Sequence, residues 1–278
     1  MTFLDNTIQL TPADADPLRP PHADFLGMPF CLLSPAQALD LILSRHGAPY
    51  RYVVTPNAYH VVTAHDQPAR LLPIYRDAWL SLCDSRIVRV LARLENRALP
   101  LVTGSDLVAE LLSTLNCLEL SSKSASSKPP RLLIVGPQRT VGRALHDAYP
   151  DLRFSILTAP AGLGKYPQLR HAIARACLDL EWDILLLCVG CPAQELIARQ
   201  LGQLGRTNGV ALCVGASIDF LTGPRGRAPR WMQKLSLEWA WRLGREPGRL
   251  WRRYLLESPR IFRIFLAARG THGDEVEQ

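Results

Sequence analysis

The segment 183-DILLLCVGCPAQELIARQLGQLG-205 decides the fold of this chain. Its first residues are apolar almost throughout, which is typical of a strand that is buried on both faces. From Pro192 onward, apolar residues recur at spacings of three and four, which indicates an amphipathic helix. A buried strand followed directly by such a helix is the repeating unit of a parallel α/β sheet.

Five other segments have the same strand-like character, and helical patterns lie between several of them. These segments are 51-RYVVT-55, 78-AWLSLC-83, 131-RLLIVG-136, 153-RFSILT-158 and 210-VALCVGAS-217. We therefore predict an α/β fold with a mostly parallel, Rossmann-like sheet flanked by helices. In such a fold, ligands bind beyond the carboxyl ends of the strands.

Charge is distributed unevenly along the 278 residues. The formal net charge is +7, and residues 224–270 hold twelve Lys and Arg residues against three acidic ones. The first 223 residues are nearly neutral, with twenty basic and nineteen acidic side chains. A local basic field of this kind indicates an anionic partner for the segment that carries it.

The same change in composition predicts the domain organisation. We expect a flexible N-terminal segment at 1–24, an α/β catalytic domain at 25–223, a basic, Trp- and Arg-rich helical appendage at 224–270 and a disordered tail at 271–278. A polar linker near 119–130 divides the α/β domain into two halves. The N-terminal segment lacks the basic and apolar regions of a secretory signal. No apolar run approaches the ~18 residues that would span a bilayer.

Seven cysteines are scattered along the chain, and their number is odd. Several lie in apolar, strand-like segments, so we interpret them as reduced core residues of a cytosolic protein. Cys188 and Cys191 come closest to a metal-binding pair, but no second pair completes a zinc site, and we predict no metal ligand. Asp14 and Asp16 have the spacing of a metal–nucleotide motif but lie in a Pro-rich segment, so we assign them no role.

Polar or small residues follow several of the predicted strands. They are Thr55, Asn57, Asp84, Gly190, Gln194, Glu195 and Asp219. These residue types are also usual in turns and at helix caps. Because the carboxyl ends of parallel strands meet at one edge of a sheet, the same residues can instead converge on one crevice. The residue types alone leave both interpretations open.

The basic appendage interleaves Trp, Arg and Leu, and it holds four of the six tryptophans. Arg242, Arg249 and Arg252 are spaced by seven and then three residues, which would bring them near one face of an unbroken helix. Pro247 and Gly248 argue for a break between two short helices. This composition suits a helix in a lipid headgroup layer and arginines that bind phosphate oxygens. Packing against the α/β domain and binding of nucleic acid are the alternatives.

Taken together, these segments resemble the WecG/TagA/CpsF family of bacterial glycosyltransferases, also called glycosyltransferase family 26. The resemblance runs from about Phe25 to about Arg263. It is carried by 53-VVTPN-57, 102-VTGSDLVAELL-112, 190-GCPAQE-195 and, most specifically, 214-VGASIDFLTGPRGRAPRWMQKLSLEWAWRLGREPGRLWRRY-254.

This resemblance implies an inverting, metal-independent glycosyltransferase with no cofactor. Such an enzyme moves a sugar from a UDP-sugar to a polyprenyl-pyrophosphate-linked sugar during synthesis of bacterial cell-surface polysaccharide or exopolysaccharide. The resemblance implies Asp84 as the general base. It implies a substrate pocket lined by Thr55, Asn57, Gly190, Gln194, Glu195 and Asp219. It also implies that Arg242, Arg249 and Arg252 contact the pyrophosphate.

The residue types suit this chemistry. An inverting transfer needs one base to take the proton of the acceptor hydroxyl, and a single carboxylate suffices. Arginines and helix N-termini can stabilise the UDP leaving group where no metal does so. We expect the protein on the cytoplasmic face of the membrane, held peripherally on anionic lipid by residues 224–270. We expect no nucleic-acid partner, and a homo-oligomer remains open.

Three positions depart from the pattern of the family. Cys83 and Ser85 stand where Pro and Gly commonly flank the Asp, and Leu101 stands where an Arg is common. Arg86 and Arg89 are the nearby residues that could replace that Arg. These departures motivate one alternative function, a non-catalytic nucleotide-sugar-binding or scaffold protein with a decayed site.

Overall fold

In a computed structural model of this chain, the described residues are 19–47, 49–122, 129–136, 139–222, 232 and 238–274. Some side chains within the helices lie outside this description, at 120–122, 139–140, 220, 222, 238–239, 242, 249 and 270–274. Within the described ranges, the chain forms one large sheet with helices on both faces and one small hairpin.

Six strands form the large sheet. They are β3 (Arg51–Val54), β4 (Leu80–Ser81), β5 (Leu132–Val135), β6 (Phe154–Leu157), β7 (Ile184–Leu187) and β8 (Val210–Cys213). Their order across the sheet is β4-β3-β8-β7-β5-β6, and every pairing is parallel. Each strand lies within one of the six segments predicted from the sequence, so the predicted parallel α/β sheet is confirmed.

Alternate side chains of these strands divide the apolar core into two clusters, one on each face of the sheet. Helices that contribute to the first cluster are α2 (Ala58–Asp66), α3 (Pro68–Asp77), α4 (Arg86–Arg93), α7 (Pro167–Leu178) and α8 (Ala193–Gln203). Helices that contribute to the second are α1 (Pro35–Ser44), α5 (Gly104–Ser122), α6 (Arg139–Ala148) and α9 (Ser217–Thr222). Helices on both faces explain why the inner strands are apolar without alternation.

A small antiparallel hairpin, β1 (His22–Phe25) and β2 (Met28–Cys31), precedes α1. Its two-residue turn consists of Leu26 and Gly27, whose φ angles are 50° and 74°. Positive φ at both positions is the requirement of a type I′ turn. Ser34 caps α1, because its hydroxyl accepts a hydrogen bond from the Gln37 N–H in the first turn of the helix.

The C-terminal part of the chain packs back onto the sheet domain. It comprises α10 (Glu238–Arg245), α11 (Pro247–Trp251), a π-helical segment (Arg252–Glu257) and α12 (Arg260–Asp274). The predicted break occurs at Glu246, and Pro247 is the first residue of α11. Phe265 of α12 is buried, and its ring centroid lies 6.2 Å from that of Phe25. Arg260 forms two hydrogen bonds with Asp66 at 2.6 and 2.8 Å, which hold α12 against the end of α2.

Regular structure extends into three segments that were expected to be irregular. α5 continues to Ser122 and so includes the first residues of 119–130, while α12 continues to Asp274, inside 271–278. β1 begins at His22, within the N-terminal segment 1–24. Among the described residues, none of the helices is both long and apolar enough to cross a bilayer.

Candidate active site

A cleft lies at the carboxyl ends of β3, β4, β7 and β8. Its empty volume, open solvent included, is about 1090 Å³. The predicted site residues that line it are Thr55, Asn57, Asp84, Gly190, Gln194 and Asp219. The structure therefore brings together residues that are up to 164 positions apart along the chain.

Asp84 lies half-buried at the wall of this cleft, in the loop that joins β4 to α4. The cap of α4 is the next residue, Ser85, whose hydroxyl accepts a hydrogen bond from the Val88 backbone N–H at 3.2 Å. The backbone N–H of Asp84 donates to the Pro56 carbonyl oxygen at 3.0 Å. The sequence left open whether Asp84 is a cap or a site residue, and the structure gives the role of the cap to Ser85.

Two of the positions that depart from the family pattern, Cys83 and Ser85, have structural roles. Cys83 is buried, and burial raises the pKa of its thiol to about 12, so it is a neutral core side chain. Its carbonyl oxygen accepts a hydrogen bond from the Val102 N–H at 3.0 Å, which holds the chain next to Leu101. Neither Arg86 nor Arg89 is among the described residues that line the cleft.

Thr55 and Asn57 fix the loop between β3 and α2. The buried hydroxyl of Thr55 donates a hydrogen bond to the Cys213 carbonyl oxygen at 2.9 Å, which joins the ends of two adjacent strands. Asn57 caps α2, since its Oδ1 accepts a hydrogen bond from the Tyr59 N–H at 3.0 Å. Both residues therefore shape the wall that they line.

Two more lining residues lie at the N-termini of helices that pack on the face of the sheet with the second core cluster. Ser105 lies in the first turn of α5, and Asp219 lies in the first turn of α9. Gly104 lets α5 approach the end of β3 closely, because a Cβ atom at that position would lie 3.2 Å from Thr55 Oγ1.

Gln194 connects the loop after β8 to the start of α8. Its Oε1 accepts a hydrogen bond from the Gly215 N–H at 2.9 Å, and its Nε2 donates to Glu195 Oε1 at 2.7 Å. Glu195 is only 1% exposed and lies behind the wall, although the sequence suggested that it contacts substrate. Its Oε1 lies 3.3 Å from Nε2 of His60. The structure thus makes Glu195 a support for Gln194.

His60 is a lining residue that the sequence analysis missed. It is the third residue after Asn57, and its Nδ1 lies 2.8 Å from Asn57 Oδ1 and 3.3 Å from the Asn57 backbone nitrogen. Nδ1 accepts from the Asn57 backbone N–H, and the Asn57 side chain in turn accepts from the His60 backbone N–H. The two residues therefore form a capping box, although the usual residue at the position of His60 is Glu or Gln. The three-residue spacing from a capping Asn was the signal that could have identified it.

His60, Cys191 and Glu195 could hold a metal ion, because their ligand atoms lie within 4.8 Å of one another. His60 Nε2 and Glu195 Oε2 are buried and lack a hydrogen-bond partner among the described residues. Burial, and then the nearby Glu195 carboxylate, raise the pKa of the Cys191 thiol well above its usual range. The thiol is therefore protonated unless a cation lies beside it. Asp14 and Asp16 lie outside the described residues.

The C-terminal helices form the other wall of the cleft. Their lining residues are Trp241, Arg245, Glu246, Leu250, Arg253 and Tyr254. The guanidinium carbon of Arg253 lies 4.4 Å from the ring centre of Tyr59, which is a cation–π distance. Nε of Arg253 is buried and has no hydrogen-bond partner in the described part of the chain. This wall is therefore cationic and has a donor available to a ligand.

The arginines of this wall differ from those that the sequence suggested. Arg252 is exposed and is not among the residues that line the cleft, whereas its neighbour Arg253 is. The side chains of Arg242 and Arg249 lie outside the described part of the structure.

Comparison with known proteins identifies a family and curated relatives of this chain. The model of the Glycosyl transferase WecG/TagA/CpsF family matches residues 23–274. The N-acetylglucosaminyldiphosphoundecaprenol N-acetyl-beta-D-mannosaminyltransferase of Bacillus subtilis (strain 168) is 29% identical over 174 residues. That match covers 60% of this chain and 61% of the relative, so the chain spans about three fifths of the length of that relative.

Proposed function

The chain belongs to the Glycosyl transferase WecG/TagA/CpsF family, and we propose that it transfers a sugar from a UDP-sugar to a sugar carried on a polyprenyl pyrophosphate. The observation that carries this proposal is that the carboxylate at the end of β4, Asp84, lines the same cleft as two arginines, Arg245 and Arg253. The name of the Bacillus relative refers to transfer of N-acetylmannosamine and to N-acetylglucosaminyldiphosphoundecaprenol. It supports a lipid-linked sugar diphosphate as the class of acceptor.

Asp84 is the proposed general base. In an inverting transfer, the acceptor hydroxyl attacks the anomeric carbon while a base takes its proton, and the bond to UDP breaks on the opposite side. The Asp84 carboxylate lines the cleft, and the cap of α4 is provided by Ser85. The backbone hydrogen bond to Pro56 holds this loop at the end of the neighbouring strand. A carboxylate held in this way can be kept in one orientation towards a bound hydroxyl.

Arg253 and Arg245 are the proposed ligands of the diphosphate. Negative charge grows on the leaving UDP as the glycosidic bond breaks, and positioned cations stabilise it. Arg253 presents a buried Nε without a partner among the described residues, and Tyr59 orients its guanidinium plane. We therefore assign contact with the diphosphate to Arg245 and Arg253 and not to Arg252. Because these two arginines supply positive charge to the leaving group, we propose a metal-independent transfer.

The remaining polar residues of the cleft form the proposed donor pocket. Thr55, Asn57 and Gln194 are each held by a hydrogen bond to backbone, so their side chains are pre-oriented. Gly190 and Asp219 complete this wall at the ends of β7 and β8. We assign Glu195 and His60 to positioning Gln194 and Asn57, respectively.

Peripheral attachment to the cytoplasmic membrane face is the proposed location. Among the described side chains of the C-terminal helices, five large apolar ones are exposed: Trp251, Leu255, Leu256, Phe262 and Leu266. Arginines lie between them, and this pattern is typical of helices that lie in a headgroup layer. We favour catalysis over a decayed scaffold because Cys83 and Ser85 have structural roles and Asp84 remains at the cleft.

A two-way substrate screen tests the proposal. Purified protein is incubated with each of several UDP-sugars and each of several synthetic polyprenyl-pyrophosphate sugars, and products are weighed by mass spectrometry. We expect one pair to yield an acceptor heavier by a single sugar residue, together with UDP. Binding of a UDP-sugar without transfer to any acceptor would instead support the scaffold function.

A further inference from the structure

The exposed face of α4, which starts two residues after Asp84, is unusually apolar. Ile87, Val90 and Leu94 are 38%, 55% and 58% exposed, respectively. Their spacing of three and four residues places them in one stripe along a helix about 12 Å long. The opposite face of the same helix is buried in the core through Val88 and Leu91. Packing within the domain therefore does not account for the exposed stripe.

Arginines border this stripe. Arg86 and Arg93 are exposed, and no hydrogen bond or ion pair joins either guanidinium group to a residue that the structure describes. Arg89 lies half-buried between them. An apolar stripe bordered by unpaired cations is complementary to the boundary between acyl chains and anionic headgroups.

α4 also lies close to the exposed C-terminal helix. Residues after α4, Glu95 and Arg97, line one groove together with Ala268 and Arg269 of α12. Of the twelve large apolar side chains that are exposed among the described residues, eight lie either on α4 and its C-cap, Leu94, or between residues 251 and 266. The exposed apolar surface is thus concentrated in two neighbouring places instead of being scattered as on an ordinary soluble surface.

We propose that α4 is a second membrane-contacting helix, in which Ile87, Val90 and Leu94 enter the headgroup boundary of an anionic bilayer while Arg86 and Arg93 contact lipid phosphates. This inference rests on the proposed function, because it explains how an acceptor anchored in a bilayer reaches Asp84. With α4 on the membrane, the cleft opens within one helix length of the surface that holds the acceptor. The C-terminal helices alone would leave the Asp84 side of the cleft unattached.

A second copy of the chain is a poorer occupant of this surface. Three side chains cannot supply the roughly 800 Å² per partner that stable dimers bury. In a two-fold contact through α4, the arginines of one copy would also face those of the other, which is repulsive.

Vesicle sedimentation with charge-matched double variants tests the proposal. The full-length chain is mixed with phosphatidylglycerol-containing vesicles or with pure phosphatidylcholine vesicles. We expect Val90→Glu/Leu94→Glu to bind the anionic vesicles about tenfold more weakly than the wild type, because two apolar contacts are lost and repulsion is added. The control Leu118→Glu/Leu180→Glu changes two similarly exposed apolar side chains outside α4 and should bind like the wild type. Arg86→Gln/Arg93→Gln should lose binding to the anionic vesicles only.

Thermal unfolding of each variant checks that these surface substitutions leave the fold intact. Unchanged vesicle binding by Val90→Glu/Leu94→Glu would overturn the proposal, as would equal losses in the control variant. So would a wild-type dimer in solution that the α4 substitutions dissociate, since that result would make a second copy the occupant. Transfer to a short-chain, water-soluble acceptor separates this inference from the proposed function. The α4 variants should still transfer sugar to this water-soluble acceptor. If the wild type transfers no sugar to it, the proposed transferase activity is contradicted, while the vesicle-binding result still tests the role of α4.

Discussion

The backbone N–H of Asp84 and the carbonyl oxygen of Pro56 are joined by a hydrogen bond of 3.0 Å, which ties the loop after β4 to the loop after β3. Because this bond uses only backbone atoms, a change of the Asp84 side chain leaves it in place. The position of the loop and the chemistry of the carboxylate can therefore be tested separately.

Replacement of the carboxylate should abolish the reaction without unfolding the protein. We expect Asp84→Asn to lower the transfer rate by about 10²–10⁴-fold, which is the usual contribution of a positioned base, and to leave the Tm within a few degrees. Ser85→Ala is the matched control, because it removes the α4 cap at a cost of about 0.5–2 kcal/mol and leaves the carboxylate. Steady-state kinetics and thermal unfolding measure both effects. Near-wild-type turnover by Asp84→Asn would rule out this base.

Arg252 and Arg253 are adjacent in the sequence, but only Arg253 lines the cleft, so their variants should differ in activity. We expect Arg253→Ala to lower kcat/KM for the donor at least tenfold, since a charge-assisted hydrogen bond contributes about 1.5–3 kcal/mol. Arg252→Ala should stay close to the wild type, because Arg252 is exposed and does not line the cleft. Donor-saturation kinetics of both variants give the comparison. A larger loss in Arg252→Ala would favour the assignment that the sequence suggested.

Metal chelation tests whether arginine charge suffices for the leaving group. We expect full transfer activity in excess EDTA and no stimulation by added Mg²⁺ or Mn²⁺, because Arg245 and Arg253 face the proposed diphosphate position. Product formation measured before and after chelation provides the readout. Activity that EDTA abolishes in the wild type, together with low activity of Cys191→Ser before chelation, would implicate the group of His60, Cys191 and Glu195 instead.

The ion pair between α12 and α2 should make the stability of the protein depend on acid pH. Hydrogen bonds from Arg260 lower the pKa of the Asp66 carboxyl below its usual 3.8. A lowered folded-state pKa means that the stabilisation is complete above the unfolded pKa and is lost as the pH falls through the folded one. We therefore expect Asp66→Asn to have a lower Tm than the wild type at neutral pH and an equal Tm at strongly acid pH.

Thermal unfolding from neutral to strongly acid pH measures this difference in Tm. Asp40→Asn, which changes an exposed carboxylate on α1, is the control and should show no such convergence with the wild type. A gap between wild type and Asp66→Asn that widens in acid would contradict the interpretation of the pair.

The strands were predictable because strands that are buried on both faces consist of continuous apolar residues, which can be recognised in the sequence. Ile184–Leu187 of β7 is buried throughout, and helices on both faces require apolar side chains in both directions. The order of the strands was not predictable. β3 pairs with β8, which is more than 150 residues away, and any apolar strand could have occupied that position as judged by composition.

Site residues that directly follow a strand could be predicted from the sequence. Site residues on the C-terminal helices could not, because the direction of their side chains depends on their angle around the helix axis. Thr55, Asn57 and Asp84 follow parallel strands, so the sheet itself brings them together. Arg252 and Arg253 differ by about 100° around a helix. The break before Pro247 and the π-helical turn both alter that angle, so a pattern written for one straight helix selects the wrong neighbour.

The C-terminal wall also completes the cleft late in synthesis. A nascent chain that has reached residue 240 already contains Asp84 and all six strands of the large sheet, yet it lacks Arg253 and the helix that covers α2. Domains form as the chain emerges, N-terminal parts first. Under the proposed mechanism, a chain that ends before residue 253 lacks one wall of its cleft and the cation nearest to Tyr59, so it should transfer sugar at least tenfold more slowly than the full chain.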